Sequence, residues 1–383
     1  MKALVIGCGI AGPVTAMALR EVGIEAEIFE AYRQGAENAG SFLNIASNGL
    51  AALRVVGAHR QVLDTAIPTP RMVMWSGSGK RLGEVANGLR LDDGTVSHTV
   101  QRSDLYRTIR DEAEQRGIRI TYGKRLSSYE DHGDEVTARF EDGSEATGDL
   151  LIACDGVHSR TRAILDPQAP APRYSGLYSF GGIVKDGTLA GEPGEYNMVF
   201  GKRAFFGYSV AESGETWWFA NLPRRLGDVP ESWRPELIKA FEDDANASAE
   251  LIGRSEVGMG LPIHDLPPVP VWHRGRVLLL GDAAHATSPS AGQGASLAIE
   301  DAIVLAGCLR DSRDHREAFE RYESERRPRV ERVVAYSRTI SNSKAASPVA
   351  RVFRDLMLPI FLKKSASQES LSWMYRYQAS VSD

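Results

Sequence analysis

The chain has 383 residues, 45 of them basic and 50 acidic, for a net charge of −5. That length exceeds what one hydrophobic core usually supports, so two packed domains are expected. The interspersed charges argue against nucleic acid as a partner, and no run approaches the roughly 18 apolar residues of a membrane-spanning helix. Cys8, Cys154 and Cys308 lie far apart and form neither a disulfide framework nor a metal pattern, which suits a reducing cytoplasm. Apolar residues begin at Ala3, but Gly7, Gly9 and Gly12 interrupt them before a secretory signal could form.

Lys2–Ile6 has the short apolar run of a buried parallel strand. A helical pattern over Val14–Val22 and a second strand over Glu25–Phe29, closed by Glu30, complete a strand–helix–strand unit starting at the first residue. Leu50, Leu53, Val56 and Leu63 are spaced for one buried face of a helix over 50–65. Ser103–Arg116 predicts another helix, with Ser103 as N-cap and Gly117 as its stop. Strands are expected at Ile118–Tyr122, Glu135–Phe140 and Glu145–Leu151, separated by turns at 132–134 and 141–143. Between about 170 and 266 aromatic residues become dense at hairpin spacing, which predicts an antiparallel sheet as a second domain. A buried strand returns at Arg276–Leu280, followed by glycines and a long helix from near Gly294. Residues 315–383 read as mainly helical, and the basic run Arg326, Arg327, Pro328, Arg329 reads as a solvated helix face.

Three segments carry chemistry. In the first, Gly7, Gly9 and Gly12 follow a strand and open a helix, with Ile10 and Ala11 between them. Gly7 allows the tight turn, Gly9 lets backbone approach a pyrophosphate, and Gly12 lets helix and strand pack closely. The helix start offers N–H groups to the phosphates, and Glu30 stands where a carboxylate accepts from ribose hydroxyls. The acid disfavours a 2′-phosphate, so this site should hold FAD or NAD. The second segment, Asp149–Arg162, runs from a buried strand into Asp155-Gly156 and a turn carrying His158, Ser159 and Arg162. The third, Gly275–Ala302, places Asp282 after a buried strand and a small-residue loop from Pro289 through Gly292 to Gly294. A flat ring could lie over that loop, with the helix start aimed at its edge.

Together these segments resemble the FAD-dependent aromatic hydroxylases, the single-component class that includes para-hydroxybenzoate, salicylate and urate hydroxylases and tetracycline-inactivating monooxygenases. The resemblance spans roughly residues 1–335 and implies an α/β fold: a Rossmann-like FAD-binding domain, an inserted antiparallel substrate sheet and C-terminal helices. The corresponding division is 1–75, 99–166 and 269–335 for the FAD domain, 76–98 as an excursion toward the substrate domain, 167–268 for that domain, and 336–383 for the helices. It implies FAD contacts from Glu30, Arg102, the backbone at Leu126, Asp155 and Asp282, and backbone donors at Ala295 and Ser296. Cys154 replaces the small residue usual in the second motif. NADH or NADPH would reduce the flavin, O2 would add at its C4a position, and the hydroperoxide would deliver oxygen to a small-molecule substrate.

The substrate pocket is expected between the antiparallel sheet and the flavin. Either Trp218, or Trp217 with Phe219, would face it, along with Phe206 and Tyr208 on the preceding strand. Ser290 and Asn44 are expected beside the ring, Tyr208 and His264 are candidate bases, and His285 reads as structural. No side chain is assigned to carry oxygen and no metal is expected. This inventory points to a bulky, largely neutral aromatic or polycyclic acceptor; the protein is expected to be a monomer or homodimer. The competing readings are an alkene epoxidase on the same fold, a flavin-dependent halogenase and a non-catalytic FAD redox protein. The halogenase lacks support because Trp217 and Trp218 are adjacent rather than spaced.

Overall fold

The computed structural model describes residues 1–33, 42–185, 191–344, 355–358 and 371–380. The chain opens with β1 (Lys2–Ile6), α1 (Ala11–Glu21) and β2 (Glu25–Glu30). Next come β3 (Phe42–Ile45), α2 (Ser47–Val55), α3 (His59–Leu63), β4 (Ala66–Pro68), β5 (Arg71–Ser76) and β6 (Arg81–Ala86). β7 (His98–Gln101) runs straight into α4 (Arg102–Gln115) and β8 (Arg119–Tyr122). A meander of β9 (Leu126–Asp131), β10 (Val136–Phe140) and β11 (Glu145–Gly148) precedes β12 (Leu150–Ala153) and α5 (Arg160–Leu165). The second domain adds β13 (Arg173–Val184), β14 (Glu195–Phe200), β15 (Phe205–Val210), β16 (Thr216–Pro223), α6 (Trp233–Phe241), α7 (Ser248–Gly253) and β17 (Leu261–Asp265). The return comprises β18 (His273–Arg274), β19 (Val277–Leu279), α8 (Asp282–His285), α9 (Gly294–Asp311) and α10 (His315–Lys344).

Two large sheets organise these elements. The first has the order β18-β19-β12-β1-β2-β8 and is parallel from β19 to β8. Its central strands are apolar throughout because both faces are covered: Leu4, Val5, Leu151, Ile152 and Leu278 are fully buried. The second has the order β17-β13-β16-β15-β14-β5-β6 and is antiparallel except where β14 meets β5. One face packs on α6 and α7 through Phe206, Trp218, Leu237 and Phe241. The other presents Tyr196, Trp217 and Phe219 to Phe42 and Ile67 of the first domain. Among the described residues no helix is long and apolar enough to cross a membrane.

Several expectations change. The helix over 50–65 is two helices, because the chain turns at Gly57 with φ +68°. Ser103 is not an N-cap; the extended residue before α4 is Gln101, which makes no side-chain cap. The strand over 145–151 divides at Asp149, so β11 pairs with β10 while β12 pairs with β1. The excursion begins before residue 76, since all of β5 from Arg71 lies in the substrate sheet. The boundary at 335/336 falls inside α10, and much of 336–383 lies outside the described residues.

The basic run is not a solvated face. α9 buries Glu300 and Asp301 completely, and buried carboxylates require partners. Arg326, itself fully buried, donates from Nε to Asp301 Oδ1 at 2.6 Å and from its other arm to Glu300 Oε2 at 2.8 Å. Arg329 grips the same Glu300 through two contacts of 2.8 and 2.7 Å. Asp301 also accepts from Gly281 N–H at 3.2 Å and meets His285 Nε2 at 2.6 Å, the structural role expected of that histidine. Replacing Arg326 with Ala leaves two buried acids short of a partner. Urea unfolding should show a loss of about 3–5 kcal/mol, and a cost under about 1 kcal/mol would contradict the account.

Candidate cofactor and active site

The loops that follow β1, β12 and β19 emerge at one edge of the parallel sheet. After β1, Gly7 adopts φ +103°, and a Cβ there would lie 2.5 Å from the Cys154 carbonyl oxygen. A Cβ on Gly12 would strike the Gly7 carbonyl oxygen at 2.0 Å, whereas one on Gly9 would meet nothing within 4 Å. Gly7 and Gly12 are therefore required by packing, and Gly9 leaves an open approach to the loop. α1 begins after Ile10, at Ala11, with no side-chain cap and no acid in its first turn, so its first N–H groups are free for an anion. Beside them Glu30 is nearly buried, its carboxylate held by Cys8 N–H at 2.7 Å and Tyr32 N–H at 2.9 Å. Burial, then the Glu30 charge, pushes the Cys8 thiol up to about 12, so it stays protonated and unreactive at neutral pH. Leu126, buried at the start of β9, follows the Lys124 N–H that bonds the Glu30 carbonyl at 2.8 Å.

After β12, Asp155 Oδ2 accepts from Thr161 N–H at 3.0 Å and from its hydroxyl at 2.9 Å. Asp155 Oδ1 is buried without a protein partner. Ser159 caps α5 by accepting from Arg162 N–H. The Arg162 guanidinium donates to the Ala283 carbonyl at 2.9 Å and the Val157 carbonyl at 2.8 Å, tying α5 to α8. This arginine is a clamp between two loops.

After β19, Asp282 opens α8 and reaches solvent, yet protein crowds it enough that desolvation pushes its carboxyl up. His285 and Arg102 oppose that shift from nearby. Desolvation would lower Arg102, but Tyr106, which accepts from its Nε at 2.8 Å, and Asp282 hold it above its ordinary value. A 3-10 turn at Pro289–Ala291 follows, with the Ser290 hydroxyl 3.1 Å from that of Ser288. Gly292 has φ +62°, and a Cβ there would sit 3.5 Å from Asn44 Nδ2. Asn44 accepts from Asn87 Nδ2 at 2.9 Å. α9 then begins at Gly294 without a side-chain cap, so the N–H groups of Gly294, Ala295 and Ser296 have no acceptor within the helix. Ser296 Oγ accepts from Ala46 N–H at 3.2 Å.

Strand alternation decides the substrate side. Phe206, Tyr208 and Trp218 share the face covered by α6 and α7, and Phe206 stacks on Trp218 with ring centroids 5.5 Å apart. Phe206 and Trp218 are therefore interior to the second domain, and Tyr208 lies half-buried on the same face, turned away from the loops after β1, β12 and β19. His264 is also displaced, on edge strand β17 against His158 and Tyr174. Trp217 and Phe219 occupy the face toward the first domain. Phe219 lies across Gly207, where a Cβ would meet its ring at 2.1 Å. Phe42, which sequence reasoning passed over, touches Phe219 with centroids 5.5 Å apart and Tyr196 at 5.9 Å. Phe42 and Asn44 project from the same face of β3, so one strand connects the aromatic face to the Gly292 loop.

A parallel sheet with glycine and acid loops at one edge, faced by an aromatic antiparallel sheet, is an architecture that the flavoprotein hydroxylases share. Residues 1–337 match the family model described as FAD binding domain, and the chain belongs to that family as an FAD-dependent monooxygenase. The FAD-dependent urate hydroxylase of Klebsiella pneumoniae is 33% identical over 348 residues, covering 88% of this chain and 89% of the relative. The aurachin C monooxygenase/isomerase of Stigmatella aurantiaca is 32% identical over 349 residues, covering 88% of each chain. The structure of Klebsiella pneumoniae HpxO with FAD and uric acid superposes with a TM-score of 0.85 at 30% identity, covering 94% of this chain and 93% of the other.

The glycine geometry separates folding from binding. Gly9→Val should leave apo-protein unfolding unchanged while abolishing FAD binding, because its side chain enters the open approach. Gly12→Val should cost at least about 2 kcal/mol of stability in the apo-protein. Denaturant unfolding and FAD titration check both, and a Gly9→Val protein that bound FAD normally would contradict the reading.

Proposed function

We propose that FAD lies along the edge just described, and that the enzyme hydroxylates a neutral aromatic or polycyclic molecule using NADH or NADPH and O2. The open approach at Gly9, the uncapped starts of α1 and α9 and the unpartnered Asp155 Oδ1 suit the cofactor's phosphates, hydroxyls and ring edge. In this reading the loop from Gly7 to Gly12 and Glu30 hold the ADP end, with the Leu126 backbone beside the adenine. Arg102, Asp155 and Asp282 bind the pyrophosphate and ribityl region. Pro289, Ser290, Gly292 and Asn44 flank the ring. Bound FAD supplies the redox chemistry, taking reducing equivalents from the nicotinamide and activating dioxygen.

The chain's own contribution is electrostatic and spatial. The N–H groups of Gly294, Ala295 and Ser296 and the dipole of α9 favour negative charge at the ring's pyrimidine edge. The aromatic face of the second sheet holds the acceptor and excludes water. One observation carries the choice of acceptor. On that face of β5, β14, β15 and β16, Met72, Met74, Met198, Phe205, Trp217 and Phe219 project with no charged side chain between them, and Glu215, just before β16, accepts from Trp217 Nε1 at 3.4 Å. Met side chains adapt to varied apolar shapes, whereas an anionic substrate would lack a cation on these strands. The unpaired Cys8, Cys154 and Cys308 support a reducing compartment such as the cytoplasm.

A panel of neutral phenols, indoles and fused-ring ketones should stimulate NADH or NADPH oxidation with matching oxygen uptake. Urate and salicylate should stimulate little. Phe219→Ala should raise the KM for a productive acceptor about tenfold through the lost ring contact. Tightly coupled turnover of a small aromatic acid would refute the acceptor class.

A further inference from the structure

The described C-terminal segment, residues 371–380, lies far along the chain from every motif above, yet Arg329 links its carbonyls to Glu300, and Asn48 links Glu300 to Gln293 at the start of α9. Arg329 makes this connection. While Nε and one amino group hold Glu300, Nη1 donates to the Trp373 carbonyl at 3.1 Å and Nη2 to the Met374 carbonyl at 2.8 Å. The segment is also held by its rings. Tyr377 lies beneath the guanidinium groups of Arg329 and Arg326, at 4.3 and 5.0 Å from its centroid, and its hydroxyl donates to Glu325 at 2.7 Å. Arg332 covers the Trp373 ring at 3.9 Å.

Glu300 passes the constraint onward. Its Oε1 accepts from Asn48 Nδ2 at 2.6 Å, and the same amide nitrogen donates to Gln293 Oε1 at 3.0 Å. Gln293 is fully buried and is the residue from which α9 starts. Tyr375, buried in the C-terminal segment, interacts with the Gln293 side chain and packs its ring 3.4 Å from where a Gly88 Cβ would stand. Thus both the hydrogen-bond chain through Arg329 and the Tyr375 side chain converge on one residue at the helix start. The hydrogen-bond chain is charge-assisted at Arg329 and Glu300, where such bonds hold their geometry most firmly.

We propose that residues 371–380 form a strap that sets the position of the α9 start against the flavin, with Arg329 as the positioning residue through which it acts. This rests on the reading that the α9 start faces the flavin. Arg329 and Glu300 touch no reacting atom; they keep the Gly294, Ala295 and Ser296 N–H groups aimed. Weakening the strap should loosen FAD and lower its reduction potential, because those donors favour the reduced, anionic ring.

The test compares the parent with Arg329→Gln, Arg329→Lys, Tyr377→Leu and a chain ended after residue 370, using added FAD. Arg329→Gln should fold, since Glu300 keeps Arg326 and Asn48 as partners. Expected are an FAD dissociation constant raised about tenfold or more in Arg329→Gln and in the shortened chain, and a more negative flavin midpoint potential. Arg329→Lys should fall between them and the parent, because a point charge can hold Glu300 but cannot fork to two carbonyls. Tyr377→Leu provides an independent disruption that leaves Arg329 in place. A purely structural strap would lower the apo-protein melting temperature while leaving affinity and potential at parental values, and that result would overturn the proposal. A parent that bound no FAD would overturn the reading of the whole site, and this proposal with it.

Discussion

The register of four parallel strands governs everything downstream. β1 lies between β2 and β12, and β12 pairs in turn with β19. Parallel pairing brings the carboxyl ends of these strands to the same edge, where ligands collect in open α/β sheets. Segments about 150 and 280 residues into the chain therefore meet the glycine loop at residue 7. Gly281, Asp155 and Glu30 owe their place along one edge of the sheet to that register rather than to any closeness in sequence.

A second constraint is electrostatic. α9 carries Glu300 and Asp301 into a space sealed from water, and only full pairing makes that tolerable. Arg326 and Arg329 pair them from α10, and His285 and Gly281 N–H complete Asp301. The helix whose start faces the cofactor loops is thus locked in rotation and height by charges deep along its length. Cation–ring contacts to Tyr377 and Trp373 extend the lock to the C-terminal segment.

The local geometry of the loops proposed to hold FAD was legible in the sequence because its determinants are local. A turn at Gly7, an acid ending the next strand and a helix beginning at Gly294 are each decided within a few residues. The substrate half was less legible. Alternation separates Trp218 from Trp217 and Phe219, but both sets are aromatic, and only α6 and α7, folding over one face, reveal which set is interior. Phe206 and Tyr208 were misplaced for the same reason. Phe42 could have been found, since it shares one face of a short strand with Asn44. The Arg326–Arg329 run resembled a surface because its partners, Glu300 and Asp301, lie on another helix.

In the proposed reaction these loops and this aromatic face together direct one oxygen atom into a bound neutral ring. The most direct measurement is incubation of the FAD-loaded enzyme with isotopically labelled O2, NADH or NADPH, and a neutral aromatic acceptor, followed by mass spectrometry of the product. One labelled oxygen atom is expected in the acceptor for each nicotinamide oxidised. Nicotinamide oxidation that yields only hydrogen peroxide, with no label in any acceptor tested, would contradict it.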